Sequence, residues 1–461
     1  MPHRQPAPLA LALCTTLLLA CTLPARSATT PSAAALELLE KSVGFRTVEG
    51  EGQVPAYAAY LAQQLEAGGI PKADIRIERI GETATLVARY RGTGRKRPMI
   101  ISDHMDVVAA RAEDWERDPF TPVVENGYLY GRGADDNKFD VAMVVTTIRQ
   151  LKSEGFTPDR DIILAFSGDE ETSMKTTRVL AKQFPDAEFV LNGDGGGGRL
   201  ASDNTPLVYD LQAGEKTYAD FDITFTNPGG HSSRPSGVNA IAQLARAIDR
   251  IAAFHFPYMR NELTRASLEA TGKRTPGPLG EAMLRFAATG DTAAAAVLAA
   301  HPDTVGQIGT TCVPTMLRGG HAHNALPQSA TVSVNCRIFP GVSVESVRAT
   351  LVDVVADPDA TVTTLDDPAA SDASPLRADI VAAVTKAVHA RAPGLPIVPS
   401  MSAGATDSLH FRAAGIPSYG VSALFMRSED SFAHGLNERV PLAAIDGALI
   451  QWRTLLTELA K

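Results

Sequence analysis

Short apolar runs that stop at a carboxylate or an imidazole recur along the chain. Residues 99–102 lead into Asp103-His104-Met105-Asp106, residues 161–166 into Ser167-Gly168-Asp169-Glu170-Glu171, and Phe189-Val190-Leu191 into Asn192-Gly193-Asp194. Runs of this length, rich in Ile, Leu, Val and Phe, predict buried strands. Helical segments at 55–69 and 140–154 and a further strand at 83–90 alternate with them as far as Gln212. That alternation predicts a doubly wound α/β sheet, and acids at strand ends fall where such sheets gather their sites.

From residue 214 the texture changes to strand (218–226), helix (239–253), two strands (310–317 and 331–338) and helix (344–355), with a helical insertion rich in Ala at 260–301. After a hinge or linker at 366–374, helix and strand alternate again through strands at 396–400 and 418–423 to a closing amphipathic helix at 442–459. A chain of 461 residues exceeds one typical core. The division expected is a catalytic domain split between 28–213 and 367–461, with a second domain, 214–366, inserted in it.

The strand ends carry the chemistry. His104 is followed two residues on by Asp106, placed to hold the ring nitrogen that a ligating imidazole leaves free. Gly131-Arg132-Gly133-Ala134-Asp135-Asp136 delivers two carboxylates ahead of a helix, and one of them can bridge two cations. In Glu170-Glu171 adjacent acids point different ways, so that one can bind metal while its neighbour moves a proton. Asp194 and His434, the latter in Ser431-Phe432-Ala433-His434-Gly435, complete the set. A single His-x-Asp or acidic turn is ordinary surface chemistry; several apolar strands each ending in such a group are not. Two imidazoles with several carboxylates suit Zn²⁺ and tolerate Mn²⁺ or Co²⁺. Two such ions roughly 3.5–4 Å apart activate a shared water and polarise a carbonyl.

These motifs resemble the di-zinc metallopeptidase family of aminoacylase, carnosinase, glutamate carboxypeptidase, acetylornithine deacetylase and succinyl-diaminopimelate desuccinylase. The likeness runs from about Leu36 to the C-terminus and includes WERDPFTPVVENGYLYGRG, residues 115–133. It implies that Asp136, two residues before Lys138, is the bridging ligand, with His104 and Asp194 completing one metal, Glu171 and His434 the other, and Glu170 as general base. The resemblance also makes 214–366 a two-layer α/β sandwich lid of the dimerisation type. Within it, Gly229-Gly230-His231-Ser232-Ser233 is similar to a loop whose His231 stabilises the oxyanion, often from the partner subunit, which leaves a homodimer open. Asn324 and Arg337 are implied to hold the substrate's carboxylate. Asn137 and Phe139 depart from the family pattern beside Asp136.

Residues 1–27 have a basic start, a short apolar core over 9–23 and the small-residue exit Ala25-Arg26-Ser27. This reads as a secretory signal peptide, too short to span a membrane, that directs the protein to the periplasm or medium. Leu18-Leu19-Ala20-Cys21 offers the alternative of a lipid anchor at Cys21. No later segment is apolar enough for a transmembrane helix. The net charge of −9, more negative once Arg4 and Arg26 leave with the signal, argues against nucleic acid as a partner. Cys312 and Cys336 lie in two strand-like runs and read as buried free thiols, with a disulfide as the alternative.

The expectation is a secreted di-zinc hydrolase that cleaves the amide bond beside a free amino-acid carboxylate in a small peptide. An N-acyl-amino-acid deacylase uses the same machinery, and a non-catalytic metal-stabilised peptide-binding module is the reading from another class. Glu170, which a structural metal site does not need, separates the enzymes from the module.

Overall fold

The computed structural model describes residues 1–3 and 30–461; most of the segment expected to be a signal peptide, with Cys21, lies outside the described residues. Among the described residues the main sheet has ten strands. At its centre Ile162–Ser167, Met99–His104, Phe189–Asn192 and Ser418–Gly420 lie side by side and parallel. Their residues alternate between two cores, as a period of two requires. Met99, Ile101, Leu164, Phe189 and Leu191 face one core with helices Lys138–Ser153 and Ala444–Leu459, while Ile100, Ile163, Ala165 and Val190 face Leu180 and Phe411 on the other side. Helices therefore cover both faces, and the carboxyl ends of three adjacent strands deliver His104, Glu170, Glu171 and Asp194 to one edge.

The inserted segment forms a four-stranded antiparallel sheet in the order Thr311–Gly319, Ser329–Ile338, Thr217–Thr226, Ala360–Thr364. Helices Ala240–Ala253 and Val344–Val355 close a core over it through Phe221, Phe225, Leu244, Val334 and Leu351. The helical insertion packs elsewhere. Its helices, Glu262–Gly272 onward, surround their own core of Leu268, Phe286 and Leu298, while Leu263 joins the main catalytic core. Gln307 and Asn261 bond to Met401 of the catalytic strand Ile397–Ser402. An insertion into the lid in sequence is thus a buttress of the catalytic sheet in space.

The cysteines correct the sequence reading. Cys312 and Cys336 are directly opposed on neighbouring strands and form a disulfide instead of two free thiols. The pairing was hidden because the strands are joined through a loop and a bulge between Pro314 and Met316, and only the register decides which residues meet. The bond spans 24 residues, so Cys312→Ser with Cys336→Ser is expected to destabilise the lid by about 2–4 kcal/mol. Chemical denaturation followed by a lid-specific probe measures the loss.

Candidate active site

Each ligand is placed by backbone geometry that its neighbours dictate. Glycine at 193 is required by close approach, since a Cβ there would lie 2.1 Å from Asp103 Oδ1. The loop 131–136 is held by Glu438, which is fully buried, ion-paired with buried Arg132, and accepts from the main-chain N–H groups of Gly133 (3.1 Å), Asp135 (2.8 Å) and Asp136 (3.1 Å). Asp106 does the same for the next loop: its two oxygens accept from Glu170 N at 3.1 Å and Glu171 N at 3.0 Å. The amides that could wander are thereby tied to buried carboxylates.

Asp136, and not Asp135, stands between the two imidazoles. Its Oδ1 lies 2.8 Å from His104 Nε2 and its Oδ2 lies 3.2 Å from His434 Nε2. Glu171 Oε2 reaches His434 Nε2 at 2.9 Å, and Asp194 Oδ2 is 4.0 Å from His104 Nε2. Two groups of donors converge, His104 with Asp136 and Glu171, and His104 with Glu170 and Asp194, each with atoms within 4.8 Å of one another. All five expected ligands and the expected base are brought together.

The electrostatics fit cations. Burial, then the negative charges of neighbours such as Asp136 and Asp407, pushes Asp194 well above the usual carboxylate range; burial and neighbouring acids including Asp194 and Glu171 do the same to Glu170. Hydrogen bonds to Asp136 and Glu171 raise His434 to about 10. Four acids crowded with only two imidazoles lack positive charge, and divalent cations held by these oxygens and nitrogens would supply it.

Other placements differ from expectation. The Asp106 carboxylate is 3.6 Å from His104 Nδ1, too far for a hydrogen bond; the ring instead faces the Asp106 main-chain oxygen at 3.1 Å. The carboxylate's work is to hold the Glu170 and Glu171 amides. Asn137, in the amide orientation that satisfies both neighbours, donates to Asp103 Oδ1 at 3.0 Å and accepts from Asp194 N at 3.1 Å, so this departure from the family pattern ties two ligand loops together. Phe139 is buried in the core.

Arg337 lines a cavity of about 570 Å³ together with Glu170, Glu171 and His434. Its guanidinium sits 4.6 Å over the ring of Tyr218, its partner on the adjacent strand. His231 and Asn324 do not reach this cavity. They meet each other: the short ladder Gly230–His231 with Ala325–Leu326 brings Ser232 N to Asn324 O at 3.0 Å, and the His231 and Asn324 side chains stand exposed. Within one chain their expected roles are therefore unfilled, because the tip of the lid that carries them points to solvent.

Sequence reading missed Glu438 and Asp407. Asp407 is buried and accepts from Ser167 and Thr177, and burial pushes its carboxyl up to about 7. It follows strand Ile397–Ser402 in a loop, so the strand-end rule could have found it. A carboxylate that serves backbone amides, as Glu438 does, leaves no mark in spacing.

Residues 100–458 match the model of peptidase family M20/M25/M40. The chain belongs to this family. Metallopeptidases of the M20 family depend on metal, and this M20 chain is a metallopeptidase-type hydrolase. It is 28% identical over 361 residues to the N-fatty-acyl-amino acid synthase/hydrolase PM20D1 of Xenopus tropicalis, across 76% of this chain and 70% of the relative. To a probable carboxypeptidase S-like 2 of Dictyostelium discoideum it is 27% identical, across 57% of this chain and 52% of the relative. The match thus spans only about half the length of several relatives. In fold the M20 chain is similar to the metallo-carboxypeptidase Sso-CP2 of Sulfolobus solfataricus, with a TM-score of 0.69 and 19% identity over 92% of this chain and 98% of that one. Human carnosine dipeptidase 1 superposes with a TM-score of 0.63 and 15% identity over 93% and 97% of the two chains.

Proposed function

We propose that the protein is an exported di-zinc exopeptidase of the carboxypeptidase or dipeptidase type, cleaving the amide bond beside a free amino-acid carboxylate. The observation that carries this is Arg337: its guanidinium shares one cavity with Glu170, Glu171 and His434. A planar fork binds a carboxylate bidentately and would hold the amide over the cage. Two cations held by His104, Asp136, Glu171, Asp194 and His434, zinc or in its place Co²⁺ or Mn²⁺, would supply water activation and carbonyl polarisation. Glu170, anchored through its own amide but bonded to neither imidazole, takes the proton at its carboxylate and returns it to the leaving amine. The amides of Asp135 and Asp136, held by Glu438, keep the bridging carboxylate in register throughout.

Export is supported by the leader at residues 1–27 and by the Cys312–Cys336 disulfide, a bond that persists in oxidising compartments. No helix among the described residues is long and apolar enough to cross a membrane. A homodimer is supported by the edge strand Thr311–Gly319, which exposes Val313 by 54%, Met316 by 60% and Leu317 by 66%. An unpaired edge with that much apolar surface invites a second copy, and the exposed His231 and Asn324 are free to act on such a partner's cavity.

A second reading, an N-acyl-amino-acid deacylase, is favoured by the relatives named N-fatty-acyl-amino acid synthase/hydrolase. Against a long acyl chain stands the other cavity bordering Asp136 and Asp194. That cavity, of about 620 Å³, sets Asp135, Arg199, Asp210 and Arg427 among Leu424 and Met426, whereas a fatty chain needs a continuous apolar sleeve.

C-terminal amidation of a dipeptide is expected to lower kcat/KM at least ~10-fold, and Arg337→Lys to impair the free dipeptide by a similar factor through loss of the fork. Rates on the paired substrates measure both. Equal rates on the free dipeptide and its amide would contradict the reading and point to an enzyme that reads the amino end.

A further inference from the structure

The cavity holding Glu170, Glu171, His434 and Arg337 has a second cationic wall. Helix Lys175–Gln183 begins just beyond the Glu170–Glu171 turn, and its Lys175 and Arg178 line the same space. Neither forms an ion pair with a carboxylate among the described residues, nor does Arg337. Arg178 is only partly exposed, and its guanidinium has no ion-pair partner among the described residues.

The acids nearby do not serve these cations. Asp220 accepts from Tyr218 Oη at 2.6 Å and Asn335 Nδ2 at 2.8 Å, and Asp366 is exposed to solvent. Glu170 and Glu171 belong to the cage. His410, which also lines the cavity, is pushed down to about 4 by burial and by the charge of Arg178, so it offers a neutral ring. A leaving amino acid with a neutral side chain would give Arg337 its carboxylate and leave partly buried Arg178, with solvent-exposed Lys175 beside it, without an anionic partner.

We propose that this cavity selects a leaving amino acid with a second carboxylate, an aspartyl or glutamyl residue, whose side chain is received by Arg178 with Lys175 while Arg337 takes the α-carboxylate. The inference rests on the proposed role of Arg337, and it assigns the substrate class that role leaves open. A volume of about 570 Å³ accommodates such an amino acid beside the cage.

The test compares Ala-Glu with Ala-Gln on the metal-loaded full chain, since the two differ only by carboxylate against amide. Ala-Glu is expected to be preferred in kcat/KM by about 10-fold, the scale of one charge-assisted hydrogen bond, mainly through KM. The preference should shrink as ionic strength rises. Arg178→Gln should bring the ratio toward one, and Arg178→Glu should turn the preference toward Ala-Lys. Both rates come from one preparation, so the ratio does not depend on the fraction folded. Equal kcat/KM on Ala-Glu and Ala-Gln, or a preference that survives Arg178→Gln combined with Lys175→Gln, overturns the subsite while cleavage of both dipeptides leaves the carboxypeptidase reading standing. Cleavage of the amidated dipeptides as fast as the free ones overturns that reading and the subsite with it.

Discussion

Glu170→Gln is expected to retain two metal ions per chain while kcat falls at least ~10²-fold, the low end for lost acid–base catalysis. The substitution removes a proton carrier and keeps shape. Glu170 is 7% exposed and its backbone N–H bonds to Asp106, so the loop geometry survives the change. Its position beside His104 and Asp194 makes the metal content decisive, because Glu170 belongs to one of the two converging donor groups. Metal analysis and kinetics on the same preparation separate the roles. A variant that loses metal, as His434→Ala should, would make Glu170 a ligand; a variant that stays active would remove it from proton transfer.

His231→Ala is expected to lower kcat by about 10²–10³-fold, the effect of losing an oxyanion donor, with little change in KM. The structure sharpens this expectation, because His231 is exposed at the lid tip and its ring bonds only to Ser233 of its own loop. Its contribution has to come from the partner copy or from closure of the lid. Mixing inactive Glu170→Gln chains with inactive His231→Ala chains tells these apart. Activity regained after verified subunit exchange places the imidazole in trans, whereas no recovery assigns the site to one chain.

What the sequence made legible was the part written locally. A strand that ends in a carboxylate or imidazole carries both the fold and its candidate chemistry in one run of residues, so His104, Glu170, Glu171 and Asp194 were read together with the sheet that presents them. Asp136 was singled out from Asp135 by family spacing, and it is the Asp136 oxygens that lie 2.8 Å from His104 Nε2 and 3.2 Å from His434 Nε2. Long-range contacts were not legible. The register that pairs Cys312 with Cys336, the docking of helix Glu262–Gly272 beside Ile397–Ser402, and the reach of Glu438 back to the loop 131–136 each depend on residues far apart in the chain. Asp106 shows the limit within a motif: the acid was placed, but a two-residue spacing does not say whether its carboxylate or its carbonyl faces the ring.

The central claim is that the cage around Asp136 holds the two cations that make this chain a hydrolase. Removing metal with a chelator and titrating Zn²⁺ back, while following release of free amine from a dipeptide, tests it directly. Activity should vanish on removal and return with a break at two ions per chain, and Asp136→Ala should abolish the break. Full activity in protein verified to be free of metal would contradict the account.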